Sequence, residues 1–282
     1  MTAPASEPAA PPAPDAILLA AGKGTRMGGD LAKVLHPVAD RPMLHWVVDA
    51  CAAAGCEQIV IVVGYQADDV RASFNDYAPL LGRPDIAFVD QPEQLGTGHA
   101  VMMAQPVMQD RRGRDVFVLA GDGPLIQPDT LAQLLDTHRQ PTPAAATLAT
   151  ATLDDPTGYG RVLRNPADQS FDRIVEQKDA SPDQLAVREV NPSYYCFGAA
   201  ALFDALPRLS DQNAQGEYYL TDVPALLKAD GGPVRVVDAV PPQDILSINT
   251  PDQLAEVDRI MRDRLGQPPQ SPDPVVDAGA PA

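Results

Sequence analysis

Residues 18–36 read LLAAGKGTRMGGDLAKVLH, an apolar run that gives way to glycines, small residues and three cations. An apolar strand that opens into such a loop is typical of the ligand-binding edge of an α/β sheet, because glycine lets backbone N–H groups approach an anion. A dinucleotide fingerprint requires a third glycine where Met27 follows Gly22 and Gly24, and the spacing of a P-loop is absent. The loop alone therefore indicates either a triphosphate site or a tight turn with solvated charges.

The bulk composition excludes several classes of partner. The 282 residues carry a net charge of -17, which argues against a general nucleic-acid-binding protein. No apolar run approaches the length of about 20 residues that spans a bilayer, and the first residues lack the cationic start of a secretory signal. Three cysteines form no CxxC pair, so small core residues are favoured over zinc ligands and a cytoplasmic location is expected.

Outward from the opening stretch, apolar runs alternate with helical patterns. This order predicts a Rossmann-like, doubly wound α/β sheet with an additional, smaller β region after residue 140. The Pro/Ala-rich ends, 1–14 and 266–282, are predicted to be disordered, which leaves one domain over 15–265. The strands are expected at 15–19, 58–63, 86–89, 115–120, 144–153, 162–164, 173–176, 193–197 and 235–240, and the helices at 43–54, 67–77, 98–109, 128–138, from 198 through 209, 219–228 and 250–265.

Five ordered blocks carry a resemblance to a known family. They are LAAGKGTRM with LAKVLH (19–27 and 31–36), QPEQLGTGHA (91–100), GYGR (158–161), IVEQKDA (174–180) and NAQGEYYLTD (213–222). Together they resemble the sugar-1-phosphate nucleotidyltransferases, and most closely the N-acetylglucosamine-1-phosphate uridyltransferases. The resemblance implies transfer of UMP from UTP to a sugar-1-phosphate with Mg²⁺ as cofactor. It divides the domain into a nucleotide-binding half, 15–140, and a sugar-binding half with a closing helix, 141–265.

The resemblance also implies roles for individual residues. Arg26 and Lys33 would stabilise the triphosphate and the charge of the transition state, which suits a reaction that depends on positioning and neutralisation. Asp122 and Asn249 would bind Mg²⁺, although Asn249 could equally cap the last helix. Nucleotide contacts are implied at Leu19, Ala20, Ala21, Gly22, Gln91, Gly96, Thr97, Ala120 and Gly121, and sugar contacts at Gly160, Glu176 and Asn191.

Three further features of the implied site are open. The Gln91 amide offers a donor and an acceptor to the imide edge of uracil, whereas Thr97 alone could be a loop residue that caps a helix. Lys23 is expected to act through its backbone. Glu217, Tyr218 and Tyr219 are expected to shape the sugar pocket, with core packing as the alternative for the two tyrosines.

The chain departs from the family pattern at three places. Ala120 stands where an aromatic residue is usual, Gly123 replaces a branched residue, and Asn191-Pro192-Ser193 replaces Asn-Thr-Gly. Proline removes an N–H group and fixes φ, so the wall of the sugar pocket is expected to differ. Two alternatives keep the enzyme and change its substrate, to another sugar-1-phosphate or to TTP in place of UTP. A third alternative is a catalytically silent UTP-binding regulatory domain.

The sequence has no hexapeptide repeats of the kind that build the acetyltransferase β-helix of bifunctional relatives. No acetyltransferase activity is therefore expected, and a separate acetyltransferase protein would supply the acetylated sugar. Neither a nucleic-acid nor a membrane partner is expected, and a monomer is the default.

Overall fold

The computed structural model describes residues 11–268, apart from residues 81, 83 and 239. Within this part the strands are β1 (Asp15–Ala20), β2 (Pro37–Val38), β3 (Arg41–Pro42), β4 (Gln58–Val63), β5 (Asp85–Asp90), β6 (Asp115–Ala120), β7 (Ala146–Thr152), β8 (Gly160–Arg164), β9 (Phe171–Val175), β10 (Glu189–Gly198) and β11 (Val234–Asp238). The α-helices are α1 (Met43–Ala53), α2 (Ala67–Ala72), α3 (Thr97–Met103), α4 (Pro128–His138), α5 (Pro182–Leu185), α6 (Ala199–Ala205), α7 (Val223–Ala229) and α8 (Pro251–Leu265). Short 3-10 helices cover Thr25–Met27, Lys33–Leu35, Gln109–Arg111, Leu206–Arg208, Leu220–Asp222 and Pro242–Ile245.

One mixed sheet runs through both halves of the chain, in the order β11-β7-β10-β6-β1-β4-β5. Strands β6, β1, β4 and β5 are parallel, whereas β10 is antiparallel to both β6 and β7. The first residues of β10 also pair with β8, and β8 pairs with β9. The predicted doubly wound α/β sheet with an additional β region is therefore confirmed.

Alternate residues of the central strands enter two separate cores. On β1, Leu18 packs on one face with Trp46 of α1 and Leu131 of α4. Its neighbour Ile17 packs on the other face with Val101 of α3. The apolar run of β1 is thus explained by burial on both faces, as expected of a parallel strand covered by helices. The three cysteines are buried free thiols, in agreement with their predicted place in the core.

Local sequence signals placed several elements at their observed bounds and misplaced others. The predictions for 58–63, 115–120 and 128–138 match β4, β6 and α4. Two predicted helices were too long. The helix after β5 ends at Met103 rather than 109, because Pro106 disfavours helical geometry in the residue before it. The helix after β4 ends at Ala72 rather than 77, where the Ser73 hydroxyl donates a hydrogen bond to the Val70 carbonyl.

Strand β10 begins four residues earlier than predicted, because it contains an irregularity that does not resemble a strand in sequence. Its pairing with β7 shifts register between Val190 and Tyr194. Pro192 lies inside this bulge and has no N–H group to donate, which makes the segment compatible with a bulge and incompatible with regular central pairing. The bulge lies where β10 changes its second partner from β8 to β6.

The chain joins the folded body slightly earlier than the predicted boundary at residue 15. The carbonyl of Pro12 accepts a hydrogen bond from Arg139, and that of Ala13 accepts one from Arg114. The Pro14 carbonyl accepts the Glu57 N–H at 2.9 Å. Residues 1–10 and 269–282, which hold most of the two predicted tails, lie outside the described residues.

Candidate active site

The carboxyl ends of β1, β5 and β6 border a cleft of about 330 Å³. Ligands of open α/β sheets bind at this edge, since the loops that follow parallel strands converge there. The loop after β6 begins against the end of β1, because the Gly121 N–H donates to the Leu19 carbonyl at 2.9 Å. A side chain at Gly121 would place its Cβ 2.9 Å from that oxygen, so glycine is required for the approach. The cleft is lined by Leu19, Ala20, Ala21, Gly22, Lys33, Val34, Gln91, Gln94, Gly96, Thr97, Ala100, Val118, Ala120, Asp122, Glu176, Ser193, Tyr195, Glu217, Leu220 and Thr221.

The glycine-rich loop positions Lys33 at the mouth of the cleft. Gly24 has a φ of 66°, a left-handed conformation that favours glycine. A Cβ at this position would also lie 2.6 Å from the Cβ of Lys33. The lysine stem therefore packs directly on the Gly24 backbone, which explains why a glycine precedes the cation by nine residues in this loop.

Four side chains from three distant segments converge around the Lys33 ammonium. Lys33 Nζ forms a salt bridge with Asp122 and donates a hydrogen bond to Asn249 Oδ1 at 2.8 Å. Arg26 donates to the same Asn249 oxygen at 3.0 Å. The two predicted catalytic cations and the two predicted metal ligands thus lie together. The cluster holds two positive charges and one negative charge, so it favours an anion despite the acidity of the whole protein.

The residue that caps the last helix is Thr250 and not its neighbour Asn249. Thr250 is the N-cap of α8. Its hydroxyl accepts the Gln253 N–H at 3.3 Å, and Gln253 Oε1 accepts the Thr250 N–H at 3.1 Å. The Asn249 side chain points to Lys33 and Arg26, and its Nδ2 donates to Ser247 at 3.1 Å. The capping box therefore fixes the backbone and leaves the Asn249 amide oxygen for the site.

The donor set fits a divalent cation. The Asp122 carboxylate and the Asn249 amide oxygen both contact one ammonium, so they lie within reach of a single cation. Among residues 11–268, omitting the three undescribed positions, no cluster of three or more His, Cys, Asp or Glu could hold a metal. Two oxygen ligands leave the remaining positions for phosphate oxygens and water, as Mg²⁺ prefers.

The loop after β5 carries the predicted base-reading residue. Gln91 is buried, and its amide N–H groups are directed to the Gly96 carbonyl at 3.0 Å and to His99 Nδ1 at 3.2 Å. With its N–H groups on these two partners, Gln91 leaves its Oε1 acceptor for a ligand. Its role in reading the imide edge of uracil stays a prediction.

Two other residues of the base-reading loop form hydrogen bonds to neighbouring segments. The Thr97 hydroxyl accepts the Leu220 N–H at 3.0 Å and does not cap α3, which begins after Gly96. Gln94, for which no role was predicted, donates to the Ala21 carbonyl at 2.7 Å and so joins this loop to the glycine-rich loop. Its place inside the QPEQLGTGHA block was the only available signal.

The ammonium of Lys23 lies 5.2 Å from the centre of the Tyr65 ring, away from the cluster around Lys33. This side chain has a cation–π contact of its own. The position agrees with the expectation that its charge is not part of the catalytic cluster.

We expect Gly96→Ala to lower both stability and nucleotide affinity. Gly96 has a φ of 108°, and an added Cβ would lie 2.7 Å from the Tyr218 carbonyl oxygen. Backbone strain of this kind costs about 1–3 kcal/mol, and the displaced loop carries the Gln91 partner. Gly113→Ala is the matched control, since its Cβ would have no heavy atom within 4 Å. Urea denaturation and UTP titration measure the two effects; equal behaviour of the two variants would contradict the assignment.

Two carboxylates also line the cleft, those of Glu176 and Glu217. A Cβ at Gly160 would lie 3.5 Å from Glu176 Oε2, so the glycine leaves space beside this carboxylate. Asn191 is buried and does not line the cleft. Its Nδ2 donates to the Tyr195 hydroxyl at 2.6 Å, and its Oδ1 accepts the Ser193 N–H at 3.2 Å. These two hydrogen bonds position the Asn191 side chain, and its predicted contact with a sugar stays a prediction.

The two tyrosines of the 213–222 block pack in the core, which was the alternative prediction for them. Tyr218 is partly buried against the core, and Tyr219 is buried with its hydroxyl 3.3 Å from Asp179. Of the three residues predicted from this block, Glu217 is the one that lines the cleft.

Burial raises the pKa of Glu176, and the carboxylates of Asp222, Asp179 and Glu217 raise it further, while a hydrogen bond from Thr221 opposes the change. The folded protein therefore holds this proton more tightly than the unfolded chain does. Its favourable contribution is present at acidic pH and is lost as pH rises from the ordinary glutamate value, about 4.3, through the raised folded value.

We accordingly expect Glu176→Gln to raise the melting temperature near neutral pH by about 2–4 °C and to change it little near pH 4. The reason is that the amide carries no charge to desolvate. Thermal melts across this pH range, with the exposed Glu256→Gln as control, measure the difference. A shift that is the same at both pH values would show that the carboxylate charge is not its cause.

The departure at Gly123 is explained by Tyr194. A Cβ at Gly123 would lie 2.9 Å from the Tyr194 hydroxyl, which donates to the Asp244 carbonyl at 3.0 Å. The tyrosine of β10 therefore fills the space that a branched residue after Asp122 would take. Ala120 lines the cleft beside it, and nothing in its contacts accounts for the absence of an aromatic residue there.

Curated proteins similar to this chain share most of its length. The chain is 46% identical over 252 residues to the bifunctional protein GlmU of Geobacter metallireducens and to that of Pelobacter propionicus, and 45% identical over 250 residues to that of Brevibacillus brevis. These matches cover 89% of this chain and 51%, 53% and 52% of the relatives. The chain thus spans about half the length of the curated relatives it matches.

Two solved structures share the fold. The chain superimposes on apo UDP-glucose pyrophosphorylase with a TM-score of 0.73 and on UDP-glucose pyrophosphorylase complexed with UDP-glucose with a TM-score of 0.72. Both are 16% identical and the overlap covers 89% of this chain and 99% of theirs. Residues 16–223 match the MobA-like NTP transferase domain, and they contain the glycine-rich loop, Gln91 and Asp122. The chain is a nucleotidyltransferase and belongs to the family of MobA-like NTP transferase domains.

Proposed function

We propose that this protein transfers UMP from UTP to N-acetylglucosamine-1-phosphate, with release of pyrophosphate. The observation that carries the proposal is the contact of Lys33 with Asp122 and Asn249 in the cleft that also contains Gln91. A cationic cluster at one end and a base-reading amide in the same cleft suit a nucleoside triphosphate. The five sequence blocks shared with N-acetylglucosamine-1-phosphate uridyltransferases support the choice of sugar.

In the reaction, an oxygen of the sugar phosphate forms a bond to the α-phosphorus of UTP. The bond from that phosphorus to the bridging oxygen of the β-phosphate breaks, and pyrophosphate leaves with the electron pair. Lys33 and Arg26 bind and neutralise the phosphate oxygens, because both cations donate to the same Asn249 oxygen and their charges therefore lie together. The backbone of residues 19–22 lies against the nucleotide. No nucleophilic side chain is needed, since positioning and charge neutralisation carry this chemistry.

Asp122 and Asn249 would hold Mg²⁺, whose role when bound is to neutralise negative charge on the phosphate oxygens. In the structure the Lys33 ammonium contacts the same two oxygens. Lys33 is therefore expected to turn from them to the phosphates when the substrates bind. Its long, flexible stem allows this movement, because only the ammonium is held by polar contacts.

Gln91 is expected to accept a hydrogen bond from N3–H of uracil through Oε1. Cytosine has no hydrogen at N3, so an acceptor at this position discriminates against CTP. TTP keeps N3–H and differs at the C5-methyl group and the missing 2′-hydroxyl, so the base edge alone does not reject it. The base preference thus follows from the contacts of Gln91 with Gly96 and His99.

The departure at residues 191–193 favours one second candidate, which is transfer to a different hexose-1-phosphate by the same residues. These residues form the bulge of β10 beside the sugar end of the cleft. Arg26, Lys33, Asp122 and Asn249 are all present around the phosphates, where the departures are confined to Ala120 and Gly123 beside Asp122. The cytoplasmic location and the separate acetyltransferase partner stay predictions.

A panel of substrates tests the proposal. Pyrophosphate release is measured with UTP, TTP and CTP against N-acetylglucosamine-, N-acetylgalactosamine- and glucose-1-phosphate, with and without Mg²⁺. We expect turnover to be highest with UTP and N-acetylglucosamine-1-phosphate and to depend on Mg²⁺. Preference for another sugar would support the second candidate. Mg²⁺-dependent UTP binding without product from any sugar would contradict both and indicate a regulatory domain.

A further inference from the structure

The two residues proposed to hold Mg²⁺ lie on loops that are far apart in the sequence. Asp122 belongs to residues 121–127, which follow β6 and which we call the β6 loop. Asn249 belongs to residues 242–249, which precede the cap of α8 and which we call the α8 loop. One backbone hydrogen bond joins the two loops directly, from the Ile248 N–H to the Asp122 carbonyl at 3.0 Å. A single bond fixes one distance and not the orientation, so the placement of Asn249 depends on further contacts.

Arg264 of α8 supplies one further contact between these loops. Its guanidinium donates to the Leu125 carbonyl of the β6 loop at 3.0 Å. It also forms a salt bridge with Asp244 of the α8 loop, a residue that is buried. The guanidinium presents its donors in a rigid plane, so one side chain binds both loops at once.

Tyr194 of β10 contacts the same two loops from a third element. Its hydroxyl donates to the Asp244 carbonyl of the α8 loop at 3.0 Å, and the residue is buried. The same oxygen would lie 2.9 Å from a Cβ at Gly123, the residue of the β6 loop that follows Asp122. Because Tyr194 pairs with Leu119 of β6, the central sheet carries the phenol to this position.

The contact of Tyr194 with the β6 loop depends on Gly123. This glycine is one of the departures from the family pattern, in which a branched residue is usual. Its backbone does not have the left-handed φ that favours glycine, so the space taken by the phenol is the constraint on a side chain there. The phenol thus stands where a side chain of the β6 loop would otherwise lie, and it adds a hydrogen bond to the α8 loop.

We propose that Tyr194 is a positioning residue of the metal site, which holds the α8 loop against the β6 loop so that Asp122 and Asn249 bind one divalent cation. The inference rests on the proposed function, because that function assigns Mg²⁺ to these two side chains. Both of them contact the Lys33 ammonium, so they already lie within reach of a single cation. The Tyr194 phenol is buried and acts through the two loops instead of touching the substrates.

The test is Tyr194→Phe, which keeps the ring and removes the hydrogen bond to the Asp244 carbonyl. The binding of labelled UTP is measured by equilibrium dialysis over a range of Mg²⁺ concentrations, without a sugar phosphate. We expect the Mg²⁺ concentration for half-maximal UTP binding to rise about five- to tenfold, which corresponds to the loss of one neutral hydrogen bond. At saturating Mg²⁺, the amount of UTP bound should stay within about twofold of the unaltered value.

Hydrogen exchange of the Ile248 amide is a second measurement, and it needs no ligand. This amide donates to the Asp122 carbonyl across the two loops, so its exchange reports how firmly the loops are held together. We expect exchange about five- to tenfold faster in Tyr194→Phe than in the unaltered protein. Tyr77→Phe is the matched control for both measurements. It removes a phenol hydroxyl that donates to Asp49 at 2.7 Å, outside both loops, and should change neither result.

Gly123→Ala tests the same contact from the β6 loop. The added Cβ would lie 2.9 Å from the Tyr194 oxygen but 3.5 Å from the nearest carbon of that ring, which is an ordinary contact distance. We therefore expect the alanine to raise the half-maximal Mg²⁺ concentration severalfold when Tyr194 is present. In the Tyr194→Phe protein the same alanine should add less than about twofold, because the two changes act on one contact.

Three results would overturn the inference and leave the proposed function standing. They are a normal Mg²⁺ dependence of UTP binding in Tyr194→Phe, a loss of UTP binding that is equal at every Mg²⁺ concentration, and equal effects of Gly123→Ala with and without the phenol. Sugar transfer is measured separately by the earlier panel, so a failure to form product there would contradict the proposed function while these binding data still decide the role of Tyr194. UTP binding by the unaltered protein that does not depend on Mg²⁺ would overturn both.

Discussion

Lys33→Ala is expected to lower kcat by about a hundredfold or more while the protein stays folded. The ammonium of Lys33 is the cation that joins Asp122 to Asn249, and its removal takes away charge that acts on the phosphates. Loss of one preorganised donor to a developing charge costs about 10²–10³ in kcat. Steady-state kinetics by pyrophosphate release measure the loss, and a thermal melt checks the fold.

Lys23→Ala is the matched control. It removes the same side chain from the same loop, but Lys23 lies over the Tyr65 ring instead of in the cluster. We expect its kcat to stay within about threefold of the unaltered value, because a solvent-screened charge outside the cluster contributes little. Similar rates for the two variants would contradict the role of Lys33.

Asp122→Asn is expected to have an effect of similar size through a different property. Asparagine keeps the shape of the side chain and one oxygen, but it removes the only carboxylate in contact with Lys33 among the residues that the structure describes. The affinity for Mg²⁺ should therefore fall, since neutral oxygens bind hard divalent cations less strongly than carboxylates do. We expect kcat to fall about a hundredfold or more at low Mg²⁺, with partial recovery at high Mg²⁺.

The measurement is a titration of Mg²⁺ at saturating UTP and sugar phosphate. Asp136→Asn, an exposed aspartate of α4, is the control and should reproduce the unaltered curve. An Asp122→Asn protein with the normal Mg²⁺ dependence would show that this carboxylate is not a metal ligand.

The parallel half of the fold could be predicted because its signals are local. The runs 58–63 and 115–120 are apolar throughout since β4 and β6 are covered on both faces, and α4 begins at Pro128 where proline suits the first turn. Strand β10 could not be predicted at its full length. It contains Pro192, and only its pairing with two neighbours, which no local window shows, makes the segment a strand with a bulge.

The candidate site also contains features that local sequence predicts and features that depend on distant contacts. A cationic glycine-rich loop after the first strand could be recognised from residue types alone. The contacts of Lys33 with residues 89 and 216 positions away depend on the folded sheet, and only the family resemblance anticipated them. The contacts of Asn191 with Tyr195 and of Gln91 with His99 were not predicted, because the sequence does not mark these partners.

The central claim is that the α-phosphorus of UTP is transferred to a sugar phosphate by the residues around Lys33. UTP carrying radioactive phosphorus at the α position tests it most directly, with N-acetylglucosamine-1-phosphate, Mg²⁺ and chromatographic separation of products. We predict that the label appears in UDP-N-acetylglucosamine in amounts equal to the pyrophosphate released, and that Lys33→Ala slows the formation of both about a hundredfold or more. Label that stays in UTP, or that appears in UMP without a sugar product, would contradict the account.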